Sequence, residues 1–229
     1  MDVSAFGNKA NKIYNKSLIL FKSMVTENVI SKPYQTVYVP VETISNQVWK
    51  FKSKSLWQLL FKDVEKSGLI LDGDWDIYKR DINCLSCFKA FRERFLEGKP
   101  WEETIYYNKF MESMISKGAG RGGSKSWSEF KELHLNKWDA LYEDIRDNGY
   151  KSQKEINGRP EVEIRVGVSR DGELLFIDGR HRLAIANILN IEEMPVVVKV
   201  WHRDFIEYIK QNRKIRKVTP QTVIDQIFL

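Results

Sequence analysis

Glu163-Ile164-Arg165-Val166-Gly167-Val168 alternates polar and apolar residues with a period of two, as a half-buried strand does. Arg170-Asp171-Gly172 follows and supplies a turn, because Asp-Gly tolerates the positive φ that a tight hairpin needs. Leu174-Leu175-Phe176-Ile177 is then the return strand. After Gly179 the period changes: Leu183, Ala186, Ile188 and Leu189 recur at helical spacing, with Asn190 as a stop. A glycine between strand and helix lets backbone approach a ligand closely, and the first helical turn offers unpaired N–H groups and a positive dipole end. Arg180, His181 and Arg182 sit on that turn, so the junction reads as an anion site, best matched to phosphate.

Outward from this hairpin, residues 194–198 continue as an apolar strand that runs to Trp201. Residues 203–229 predict one or two helices made basic by Lys210, Arg213, Lys214, Arg216 and Lys217. Upstream, Leu141 and Ile145 mark a helix with its exit at Asn148-Gly149. Residues 1–49 predict a helix around 17–26 and a strand at 36–41, where Pro40 requires an edge or a strand end. Residues 50–139 read as mainly helical and rich in aromatics, with Leu56, Trp57, Leu60, Phe61 and Val64 on one face and Phe88, Phe91, Phe95 and Leu96 on another. Pro100 before Trp101-Glu102-Glu103 reads as a helix start. The glycine tract from Gly118 to Lys125 lacks the Gly-Lys-Ser/Thr order of a phosphate loop and reads as a surface linker, whose Arg121 and Lys125 can touch a polyanion. The expected fold class is therefore α/β: a core in 140–229 with a small mixed sheet, one strand from 1–49, and a large mainly helical insertion over 50–139.

A net charge of +6 and a pI near 9.1 favour anionic partners, nucleotides or nucleic acid, without choosing between them. Cys84 and Cys87 are the only cysteines, too few for a four-thiolate zinc site, and ordinary burial is the expectation. No apolar run is long enough to span a bilayer and no secretory leader is evident, so no membrane partner and a cytoplasmic location are expected.

Several acids are candidates for chemistry. Asp178 can serve as helix cap, base or Mg²⁺ ligand. Glu161 and Glu163 stand at the hairpin start, where a base for an acceptor hydroxyl would be needed. In an extended stretch Asp72, Asp74 and Asp76 would share one face and cradle Mg²⁺; as a turn they would be solvated acids.

The hairpin, Asp178-Gly179-Arg180-His181-Arg182-Leu183-Ala184-Ile185-Ala186 and Met194-Pro195-Val196-Val197-Val198 resemble the ParB/sulfiredoxin-like superfamily, and Val37-Tyr38-Val39-Pro40-Val41 is similar to its opening strand. The resemblance implies a nucleotide (ATP, ADP or CTP with Mg²⁺) held at the glycine turn, with Gly179 as the close-approach glycine, Arg180 and Arg182 on the phosphates, and His181 orienting or passing a proton. Asp178, His181 and Glu163 are then the candidate catalytic residues, and Asp74 and Asp76 the candidate metal ligands. Arg180 stands where sulfiredoxin has its catalytic cysteine, so sulfinic-acid reduction is not expected. His181 stands where ParB proteins have a second arginine. The implied reaction class is phosphoryl transfer or nucleotide hydrolysis; the alternative is a nucleic-acid-binding or nuclease-like protein without a partition role.

Overall fold

Strand β7, Glu193–His202, has nine of its ten residues buried. Such a strand must satisfy its backbone groups through neighbours on both edges. The computed structural model describes residues 30, 32–49, 56, 59, 67–120, 123–212 and 218–228. The helix expected around 17–26, Trp57, Leu60, Phe61, Val64, Arg121 and the basic positions 213–217 lie outside the described residues. One edge of β7 takes β5 (Ile164–Val168) in parallel. The other is shared by β1 (Thr36–Pro40), antiparallel along 193–197, and β3 (Leu69–Leu71), parallel along 200–202.

From β5 the sheet continues antiparallel to β6 (Leu174–Asp178), parallel to β2 (Asn46–Val48) and antiparallel to β4 (Lys79–Asp81). The seven-stranded sheet is thus mixed, and the chain is of the α/β class. Pro40 does close its strand. Residues 50–139, expected as mainly helical, also send β3 and β4 into the same sheet.

Both sheet faces are covered. Ile164, Val166, Val168, Leu174, Phe176, Met194, Val196 and Val198 join the main core under the helices. Leu175, Ile177, Val200, Leu69, Leu71 and Trp75 form a second cluster. Val166 and Gly167 pair with Val198 and Val200, so Lys199 is an extra residue in β7. A bulge of this kind shifts the alternation, which is why Val200 leaves the face that Val198 occupies.

Helix α1 is Ser86–Phe95 and α2 is Ile105–Lys117. Short α3 (Trp127–Phe130) runs through a π-helical turn, Lys131–Leu135, into α4 (Asn136–Asn148). Then come α5 (Gln153–Asn157), α6 (Arg180–Ile188), α7 (Arg203–Asn212) and α8 (Pro220–Ile227). Helix α4 exits through Asn148-Gly149, as its sequence indicates. The start expected at Pro100 is instead a 3-10 turn, Trp101–Glu103. Helix α2 begins later because Thr104 Oγ1 accepts the Tyr106 N–H (3.3 Å) and Glu93 Oε2 accepts the Ile105 N–H (2.7 Å). The glycine tract is less of a linker than expected: Gly120 lies against the Phe110 ring, where a Cβ would come within 1.9 Å of Cε2.

Glu102 ties the 3-10 turn to the α3 region, accepting from Trp127 Nε1 (3.0 Å) and Lys131 Nζ (3.0 Å). The Trp127 bond first, with Lys131, lowers its pKa from 4.5 to about 2. A carboxylate depressed on folding stabilises the native state above its unfolded pKa, and that contribution is lost as pH falls through the folded value. Glu102→Gln is expected to cost about 0.5–1 kcal/mol at pH 7, as for a part-exposed pair. Its Tm difference from wild type should shrink between pH 4.5 and about 2; a pH-independent difference would contradict this role.

Candidate functional site

Arg165 on β5 and Asp178 at the end of β6 are directly opposed across the antiparallel pair, and a bulge follows Arg165. Bulges re-aim side chains, and here the Arg165 guanidinium reaches the Asp178 carboxylate through Nη2. The Arg165 side chain is 6% exposed and that of Asp178 41%. Arg165 Nη1 is buried with no hydrogen-bond partner. Asp178 Oδ1 accepts the Gly179 N–H at 2.8 Å.

Gly179 adopts φ 98°, ψ 26° and caps α6, and no side chain caps that helix. A Cβ there would also meet Ile164 Cγ1 at 2.9 Å and Ile164 Cα at 3.1 Å, so conformation and space both require glycine. An uncapped helix start leaves first-turn N–H groups and the positive dipole end available to an anion. In front of it lies a cleft of about 380 Å³, bounded by Trp138 and Leu141 of α4 and by Val162, Glu163, Arg165, Asp178, Gly179, His181 and Arg182.

Arg182 lines this cleft but is already engaged. Its Nη1 donates to Glu163 Oε1 (2.7 Å), its Nη2 to the Val162 carbonyl (2.6 Å), and Tyr150 Oη lies 3.4 Å from Nη1. The Glu163 side chain is fully buried. It also accepts from the Tyr150 hydroxyl (3.0 Å), the Gln153 N–H (2.6 Å) and the Ile164 N–H (3.1 Å). Burial first, helped by the Glu163 charge and opposed by that of Arg182, pushes the Tyr150 phenol well above its usual range, so it remains a proton donor. The expected roles of Arg182 on phosphate and of Glu163 as base are therefore corrected. A buried carboxylate must be paired, and four donors saturate this one.

His181 contributes to the cleft wall, with its ring stacked on Trp138 (4.3 Å between centroids) and Phe91 (5.6 Å). Arg180 is exposed and does not line the cleft; its carbonyl lies 3.7 Å from the Cys87 thiol. Cys87 is buried, as expected, whereas Cys84 is exposed.

The acidic tract is a turn-rich loop rather than an extended strand. Asp76, 2% exposed, receives the Arg170 N–H (2.8 Å), Nε (3.0 Å) and Nη2 (2.8 Å). Burial would raise its pKa, but the Arg170 bonds outweigh it and hold the carboxyl below the usual range. Asp74 meets Arg170 Nη2 at 3.3 Å, and Asp72 meets Arg203 Nε at 2.6 Å. Among the described residues no group of three or more His, Cys, Asp or Glu is arranged to hold a metal ion. The Mg²⁺ cradle expected at Asp74 and Asp76 is thus corrected to an arginine clasp, set apart from the Gly179 cleft.

Arg165, Tyr150 and Trp138 escape the sequence reading as site residues. For Arg165 the signal was present, a cation inside the alternation of 163–168, but it reads there as solvent-facing. Among the described residues no helix is long and apolar enough to cross a membrane. Comparisons with protein-family models, curated proteins and solved structures return no match.

Arg182→Ala would leave Glu163 charged, buried and short of its cationic partner, and is expected to cost about 3–5 kcal/mol in chemical denaturation. Arg180→Ala, on an exposed side chain, should stay within about 0.5 kcal/mol of wild type. Equal stability of the two variants would show that the Arg182 pair does not hold the fold.

Proposed function

We propose that the chain binds a nucleotide (ATP, ADP or CTP) with its phosphates in the cleft ahead of Gly179, following the ParB/sulfiredoxin-like plan that the hairpin and glycine turn resemble. The observation that carries this reading is Arg165: a buried guanidinium with an unmet N–H, beside an uncapped helix start. Such a group costs free energy until an acceptor arrives, and a phosphate oxygen is a strong acceptor. The phosphate-holding role thereby passes from Arg182 to Arg165. A volume of about 380 Å³ falls in the range of roughly 300–1,000 Å³ typical of small-molecule sites. Trp138 and Leu141 offer an apolar wall for a base or ribose.

The groups facing the cleft stabilise phosphate charge, which suits phosphoryl transfer or hydrolysis better than covalent nucleophilic catalysis. Glu163 is set aside as its base; Asp178, the partly exposed carboxylate, and His181 remain the groups that can handle a proton there. The alternative nucleic-acid reading rests on the pI near 9.1, on Arg121 and Lys125 and on the basic tail, of which Arg121 and positions 213–217 lie outside the described residues.

Titration calorimetry with ATP, ADP and CTP, each with Mg²⁺, tests the proposal. Saturable binding is expected for at least one nucleotide, with affinity reduced about tenfold or more in Arg165→Gln through loss of a charge-assisted bond. Near-ultraviolet circular dichroism checks that the variant keeps its fold. No heat from any of the three nucleotides with the wild type would reject the reading.

A further inference from the structure

We infer that the Asp178 carboxylate is a built-in competitor for the anion, so that the cleft selects a phosphate ligand carrying a divalent cation over the same ligand without one. The inference rests on the phosphate reading of the cleft and adds a specificity determinant to it.

The carboxylate occupies donors that an incoming phosphate would use. One oxygen holds Arg165 Nη2 and the other holds the Gly179 N–H. Charge in the cleft is balanced in pairs: Glu163 neutralises Arg182, and Asp178 neutralises Arg165. Despite the helix start, the two arginines of the cleft lining therefore bring no excess positive charge. A bare polyphosphate approaching Arg165 and the first turn of α6 meets the negative charge of Asp178 beside them, and like charges repel.

The two carboxylates differ in how fixed they are. Glu163 is fully buried and accepts four bonds, whereas the Asp178 side chain is 41% exposed and holds one neighbouring arginine and one backbone N–H. Asp178 is thus the acid that can turn towards a ligand. Two changes would relieve the repulsion: removing its charge, or bridging it to the phosphate oxygens. Mg²⁺ suits the second, since it is commonly held by one or two carboxylates together with substrate phosphates. The described residues offer no preformed cluster of three metal-binding side chains, so the cation would arrive with the ligand.

The test is calorimetric binding of inorganic pyrophosphate to the full chain, in EDTA and again with Mg²⁺, for wild type, Asp178→Asn and Asp178→Ser. Wild type is expected to bind about tenfold more tightly with Mg²⁺ than without, a factor equal to one modest charge–charge interaction. Both variants should bind metal-free pyrophosphate about tenfold more tightly than wild type and gain nothing from Mg²⁺. Near-ultraviolet circular dichroism verifies their folding, and the two replacements differ in size and hydrogen bonding, so agreement between them isolates the charge. If folded variants and wild type bind alike in both conditions, or the variants bind more weakly without metal, the competitor role is overturned while the phosphate site stands. If none of the three proteins binds in either condition, the phosphate site falls and the inference with it.

Discussion

Strand β7 imposes the constraint from which the rest follows. With nine of its ten residues buried, it cannot leave backbone groups to water, so both edges must be paired. No other described strand is as long, and one edge is completed by two short strands from distant parts of the sequence. That requirement draws residues 36–40 and 69–71 into one sheet. It also brings the loop after β3 to the end of the β5–β6 hairpin, where Asp76 meets Arg170. On the opposite edge, β5 is held in a parallel register that opposes Arg165 to Asp178 through β6. The candidate site is a consequence of sheet pairing more than of the local glycine turn.

A second regularity is that the buried carboxylates Asp76 and Glu163 are each matched by an arginine. Asp76 and Arg170 share several bonds, and Glu163 and Arg182 neutralise each other with Tyr150 as a neutral donor. These pairs use acids and bases that would otherwise suit catalysis, because leaving either partner alone in a low-dielectric interior is more costly than forming the pair. Arg165 departs from the pattern, since its pairing with Asp178 leaves Nη1 unmet. That asymmetry, rather than a dense cluster of cations, distinguishes the cleft.

Legibility in the sequence varied with the range of the interaction that decided each feature. The hairpin, the glycine junction, helix α6 and the exit of α4 were readable because hydrophobic period, Asp-Gly and Asn-Gly act over a few residues. The α2 start was misplaced because the decisive acceptors were Thr104 and the more distant Glu93, not Pro100. The alternation at 163–168 correctly marked a strand, yet its polar positions Glu163 and Arg165 proved buried. Period two reports which residues share a face; it does not report whether that face meets water, a cleft or another layer.

The sequence by itself determined the α/β class and the strand–glycine–helix junction, since these depend on hydrophobic period and near neighbours. Tertiary structure alone decided which charged groups remain available. Arg182, prominent on the first turn of α6, is taken by Glu163, while Arg165, inconspicuous in a strand, lines the cleft and keeps one buried donor unmet. The physical reason is that the availability of a charge depends on the partner folded against it, and partners separated by ten to a hundred residues leave no local signature.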